Sequence, residues 1–211
     1  MIELAVFLGN PGSRYERTRH NIAMRMAEAF AQRRGEQFQQ KFQGRLATIR
    51  GGAAGAGPAA AGPPGKAGNP GAPGKLLVLL PETYMNRSGE SAGACARYHS
   101  IGPRNVLVAH DEVELPFGTL ELRRGGGLAG HNGLRSVAQH LSSTDFARLR
   151  IGIGRPRHGD VSSHVLGNFS PDEEARLEEL ERGVEEIIER LTVESFETVA
   201  KEVGRRVVFE Y

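Results

Sequence analysis

His20 and Asp111 are the two side chains of this 211-residue sequence best suited to pass a proton between them. An imidazole with a pKa near about 6.5 takes up a proton at neutral pH. A carboxylate bonded to its other ring nitrogen fixes the tautomer and stabilises the imidazolium that forms. Asp111 follows the apolar run 105–109 (NVLVA) in His110-Asp111-Glu112, and His20 precedes a predicted helix. The one Gly-x-Ser-x-Gly match, Gly89-Glu90-Ser91-Ala92-Gly93, falls inside a predicted helix and not at a strand-to-helix turn, so it is no nucleophile elbow. The one cysteine, Cys95, sits among small residues and reads as core. The nucleophile for His20 to activate is therefore water. Four asparagines accompany the pair: Asn10 in Gly9-Asn10-Pro11-Gly12, Asn21 directly after His20, Asn86 in Thr83-Tyr84-Met85-Asn86, and Asn132 at the end of a glycine-rich stretch. An amide donates and accepts without carrying charge, so it holds a peptide group, a ribose or a water without competing for the proton. Each residue also has a plainer reading. Asn10 fits an ordinary turn, and Asn86, Asn132 and His20 fit helix caps.

Cofactor chemistry finds little support. His20, His110 and His131 match no zinc spacing and no cysteine joins them, so no metal is expected. The stretch Gly125-Gly126-Gly127-Leu128-Ala129-Gly130 lacks Gly-Lys-Ser/Thr, and it does not open from a first strand as a dinucleotide loop does.

These residues need elements to bring them together. Apolar runs at 4–8, 76–80 and 105–109 each lead straight into one of the motifs. In an open α/β sheet, ligands bind just beyond the carboxyl ends of the strands, so the motifs converge there. The spacing predicts strands at 3–8, 45–50, 75–80, 105–109, 119–124 and 147–153. Helices are predicted at 21–34, 88–99, 132–141, from Ser170 to about 191, and near 193–203. Gly35 is a C-terminal stop, and Ser170-Pro171-Asp172-Glu173 is a capping box with Pro at the first helical position. The expected fold class is α/β: a single three-layer domain over residues 1–211, with a mixed, mostly parallel twisted sheet flanked by helices on both faces.

Residues 51–75 stand apart, because 22 of the 25 are Gly, Ala or Pro. Gly62, Gly65, Gly68, Gly71 and Gly74 recur every third position with Pro among them, a collagen-like pattern too short to trimerise by itself. The segment has little to bury, so it reads as a flexible insertion joining strands 45–50 and 75–80.

The charge is divided. Residues 171–202 hold 12 acidic and 4 basic side chains, whereas residues 1–170 hold 12 acidic and 21 basic ones. A basic body suits a polyanion such as RNA, although basic residues also simply solvate a surface. The lone cysteine and the absence of a signal-like leader point to a reducing cytosol, and no run approaches a membrane span.

Taken together, the stretches FLGNPGSRYERTRHN (7–21), PETYMNRSGES (81–91), HDEVELPFG (110–118), GGGLAGHNGLRS (125–136), FARLRIGIGRP (146–156) and HVLGNFSPDE (164–173) resemble the bacterial peptidyl-tRNA hydrolases. The resemblance implies a cytoplasmic, monomeric enzyme without cofactor or metal. It would cleave the ester between a peptide and the 3′ ribose of tRNA, recycling tRNA dropped from the ribosome. It implies that His20 activates water, that Asp111 holds it, and that Asn10 engages the peptide backbone. Tyr15, Tyr84, Asn86 and Asn132 become substrate-binding positions. Asn21, Met85 and His131 line the crevice, and Arg123 and Arg150 lie near the acceptor-stem phosphate. Phe7, Ala23 and Ala129 stand where such enzymes commonly have Gly, and Glu121 where they carry a basic residue. The rivals are a non-catalytic RNA-binding relative on the same scaffold, against which an intact His20 and Asp111 argue, and a metal-dependent esterase or peptidase, which excess chelator would inactivate.

Overall fold

A computed structural model of the chain describes residues 1–51, 74–156 and 159–211. In chain order the elements are β1 (Leu4–Phe7), α1 (Ile22–Arg34), β2 (Gln39–Lys41), β3 (Gly44–Arg50), β4 (Lys75–Pro81), α2 (Ser88–Tyr98), β5 (Val106–Glu112) and β6 (Thr119–Arg124). They continue with α3 (Asn132–Leu141), β7 (Ala147–Gly152), α4 (Val161–Leu166), α5 (Pro171–Glu174), α6 (Leu177–Val193), α7 (Phe196–Val203) and β8 (Arg205–Val207). The strands form one sheet in the order β2-β3-β4-β1-β5-β7-β6-β8. The four central strands β4, β1, β5 and β7 are parallel to one another. Antiparallel pairings extend both edges. Only β3 and β6 therefore run against the common direction, and the mixed sheet expected from the sequence is what forms.

Side chains alternate across a strand, and β1 shows the consequence. Ala5 and Phe7 enter a core shared with Phe30 of α1 and Ile187 of α6, while Leu4 and Val6 enter one shared with Ala92 of α2 and Val137 of α3. A sheet buried on both faces needs apolar residues at consecutive positions, which explains the unbroken runs LAVF and LLVLLP. Phe30 is 1% exposed, and truncating such a side chain to Ala costs about 3–5 kcal/mol. Phe7 and Ala23, two of the three residues at expected glycine positions, are fully buried in the first of these cores. Cys95 lies in the second, and burial pushes its thiol up to about 12, so it is inert at neutral pH.

The helix signals act as the sequence suggests, with one break. Gly35 closes α1 at φ 68°, and Ser170 forms the capping box with Glu173. The helix expected from Ser170 to about 191 is interrupted: α5 ends at Glu174 and α6 starts at Leu177. Strands β2 and β8 and helix α4 were not expected. β2 and β8 are three-residue edge strands with no buried residue, and α4 likewise has none, so no apolar period marks them. Of the expected insertion, residues 52–73 lie outside the described residues. At its ends β3 and β4 pair antiparallel down to Arg50 and Lys75, and the Gly51 N–H donates to the Gly74 carbonyl at 2.5 Å.

Candidate active site

Register decides which residues meet. Phe7 at the end of β1 pairs with Ala109, so His110, Asp111 and Glu112 of β5 run past the end of β1. The turn after β1 carries Asn10, and the segment after β4 carries Tyr84, Met85 and Asn86. All these ends face the same way, as the parallel centre of the sheet requires. Beside them lies a cavity of about 670 Å³. His20, Asp111 and Asn10 line it, as do Tyr15, Tyr84, Met85 and Asn86. His131, Asn132, Arg123 and Arg150 line it too. Asn21 does not: it is buried behind Asn10 with 2% exposure, which corrects the expectation that it lines the crevice.

His20 Nδ1 lies 2.8 Å from Asp111 Oδ1. His131 Nε2 lies 3.1 Å from the same oxygen. The second contact was not foreseen, because nothing in the spacing of 111 and 131 links them. It arises because His131, not Asn132, caps α3. The His131 Nδ1 accepts the N–H groups of Gly133 at 3.1 Å and Leu134 at 3.3 Å. A nitrogen that accepts two donors carries no proton, so the neutral ring bears its proton on Nε2 and donates it to Asp111. Asn132 is instead the first residue of the helix, and its Oδ1 accepts from Arg135 at 3.3 Å. Asn86 does not cap α2 either, since the N-cap is Arg87 with no side-chain bond. Close approach at Gly133 completes the corner: a Cβ there would stand 2.5 Å from Met85 Sδ.

Electrostatics follow the geometry. Burial raises the Asp111 carboxyl, but its electrostatic interactions with the His20 and His131 rings and the hydrogen bonds from both outweigh it, and its pKa falls well below the carboxylate range. Burial alone would lower the His20 pKa; the Asp111 charge and hydrogen bond more than offset this, and it is raised. His110 Nδ1 meets only the Asp111 backbone carbonyl, at 2.8 Å. Burial, the largest cause, outweighs this contact and the nearby Asp111 charge and takes its pKa down to about 3, so it stays neutral.

His20, Asp111 and His131 bring ligand atoms within 4.8 Å of one another, close enough to gather a metal ion. The donor chemistry opposes that use. A metal on His131 Nε2 would move the ring proton to Nδ1, where two backbone N–H groups already point. The trio is built as hydrogen bonds.

Asn10 completes the chemistry. Its Oδ1 accepts the Met85 N–H at 2.8 Å, so its amide N–H groups are the ones left for the cavity. Arg150 lines the cavity but is paired there with two carboxylates. Glu112 Oε2 lies 2.9 Å from its guanidinium, and Glu121 bonds it from the other side. Sequence reasoning also missed Glu112, Arg14, Arg148 and the α4 residues Val161 and Leu166, which share the cavity wall. The one available signal was Asp160, whose side chain accepts from Ser163 and starts α4.

A family model described as Peptidyl-tRNA hydrolase matches residues 4–208. The chain belongs to the peptidyl-tRNA hydrolase family. Similar relatives of that name come from Geotalea daltonii, 40% identical over 92% of this chain and 91% of the relative, and from Syntrophotalea carbinolica, 38% identical over 98% of each. Among solved structures, a peptidyl-tRNA hydrolase from Acinetobacter baumannii superposes with a TM-score of 0.78 at 33% identity, covering 96% of this chain and 94% of that one. The residues that prompted the resemblance are thus those that this peptidyl-tRNA hydrolase fold gathers at one end of its sheet.

Proposed function

We propose that this chain releases tRNA from peptidyl-tRNA by letting His20 draw a proton from a water that attacks the ester carbon. Membership of the family carries the reaction; the 2.8 Å His20–Asp111 bond carries the assignment of roles. With Nδ1–H committed to Asp111, the ring presents a bare Nε2 as the base. As the water gives up its proton, the imidazolium that forms is stabilised by the Asp111 carboxylate. The Asn10 amide donors engage the peptide backbone next to the ester, and Asn86 and Asn132 are neutral donors for the ribose or the developing oxyanion. One such donor is worth about 3 kcal/mol. An ester is already activated, so a positioned base supplying about 10²–10⁴-fold suffices alongside orientation. We place the reaction in the cytoplasm, on a monomer in which residues 1–211 act as one domain and 51–75 are an insertion. Among the described residues, no helix is long and apolar enough to cross a membrane.

The test compares an N-blocked with a free aminoacyl-tRNA as substrate. The blocked ester is hydrolysed and the free one spared, and His20→Ala removes nearly all turnover without changing the circular dichroism spectrum. Turnover by His20→Ala near that of the parent enzyme would exclude the base.

A further inference from the structure

Four arginines line the cavity: Arg14, Arg123, Arg148 and Arg150. A phosphodiester needs a guanidinium whose charge and donors are uncommitted, and the four differ sharply in this. Arg150 lies between Glu112 and Glu121, and the second of these carboxylates is also engaged by Arg205 at 3.1 Å. Arg148 is 4% exposed, and its Nη1 and Nη2 donate to the carbonyls of Gly127 at 2.7 Å and Gly126 at 2.8 Å. It holds the glycine stretch in place and cannot reach outward. Arg123 is exposed and forms no ion pair among the described residues. Arg14 is also exposed and likewise has no acidic partner there. Its guanidinium lies 4.5 Å from the centre of the Tyr15 ring and donates to the Tyr15 hydroxyl. Stacking fixes the plane of the fork and leaves most of its five donors free.

We propose that Arg14 and Arg123 hold the phosphates of the tRNA 3′ end in this enzyme, and that Arg150 is a neutralised part of the wall. This rests on the reading that the cavity receives peptidyl-tRNA. Arg123 already had that expectation. Arg14 is the new residue, and the ion pairs of Glu121 are the reason Arg150 leaves the set. The Tyr15–Arg14 stack places a cation on the Asn10 side of the cavity, and Arg123 sits at the end of β6, so the chain passing into the site is gripped between two separate elements.

Counterion release makes the assignment measurable. Each phosphate neutralised contributes about 0.7–0.9 to the slope of log K against log salt. Binding of deacylated tRNA is followed by fluorescence anisotropy across about 50–200 mM salt. Arg14→Ala and Arg123→Ala each flatten the slope by about one contact, Arg14→Lys keeps it, and the charge-balanced double variant Glu121→Gln with Arg150→Gln leaves it as in the parent. A parental slope in Arg14→Ala overturns the proposal. So does an Arg14→Lys slope as flat as that of Arg14→Ala, because stacking rather than charge would then be responsible, or a double variant that flattens by a full contact. A parental enzyme whose tRNA binding ignores salt would instead undo the tRNA reading itself.

Discussion

Asn21 holds Asn10 by both of its backbone groups. Its Oδ1 accepts the Asn10 N–H at 2.8 Å, and its Nδ2 donates to the Asn10 carbonyl at 2.9 Å. The side chain next in sequence to His20 thereby fixes the turn that carries Asn10, so the proposed base and the proposed substrate contact are tied together. Replacing Asn21 with Ala strands two buried backbone groups, each worth about 1–3 kcal/mol when unsatisfied. We expect Asn21→Ala to lower the urea midpoint by an amount equivalent to about 2–4 kcal/mol. The KM for a blocked aminoacyl-tRNA rises more than kcat falls, because His20 and Asp111 are untouched. A loss confined to kcat would show that Asn21 serves the base instead.

The pH dependence of the reaction should report the His20–Asp111 bond. As the proposed base His20 must be neutral, so kcat/KM should rise with pH through its pKa, which is raised above the ordinary imidazole value of about 6.5. Asp111→Asn removes the charge and bond that raise it and leaves burial, which lowers it. The limb then moves to lower pH while the plateau falls, by about 10⁴-fold where the wrong tautomer is adopted as in serine-protease triads. A reduced plateau with an unmoved limb would separate Asp111 from the His20 proton.

Much of this site was legible before the structure because it depends on where strands end. Runs such as LLVLL mark buried parallel strands, and residues just after them gather at one sheet edge. That logic brings Asn10, Met85 and Asp111 to one cavity, where the structure has them. It had no access to hydrogen bonds closed by a cap: His131 reaches Asp111 only because its Nδ1 starts α3, and the sequence offers Asn132 as an equally good cap. Nor did charge counting reveal that Arg150 is matched by Glu112 and Glu121, since that depends on the register Glu121↔Arg150 between β6 and β7.

His110 predicts a cost in stability at mildly acidic pH. Its folded pKa, about 3, lies below the unfolded value of about 6.5. The unfolded chain thus binds this proton first. Stability attributable to the neutral ring is complete above pH 6.5 and is lost as pH falls toward 3, about 2 kcal/mol of it by pH 5. His20 behaves oppositely, since its raised pKa makes its contribution complete below 6.5. Urea midpoints at pH 7 and pH 5 should therefore converge in His110→Gln relative to the parent. An equal drop in both proteins would assign the acid sensitivity elsewhere.

Arg19 ties the base to the opposite end of the sequence. Its guanidinium donates to the Asn168 carbonyl at 2.6 Å and to Glu173 Oε2 at 2.6 Å, and lies 5.1 Å from the centre of the Phe169 ring. The Arg19 N–H also donates to the Gly167 carbonyl at 3.0 Å, directly after α4. The backbone leading into His20 is therefore fastened to the segment that follows a wall of the cavity. Glu173→Gln isolates the charge, because Gln also serves at that position of a capping box. The pair is largely buried, with side chains 13% and 11% exposed, so leaving Arg19 without its carboxylate should cost about 1–3 kcal/mol. As a positioning residue, Glu173 should affect kcat severalfold and leave the acid limb of the pH profile where it was, since the His20–Asp111 contact does not involve it. A shifted limb would mean that the Glu173 charge acts on His20 directly; unchanged kcat would mean that the strap stabilises the fold without orienting the base.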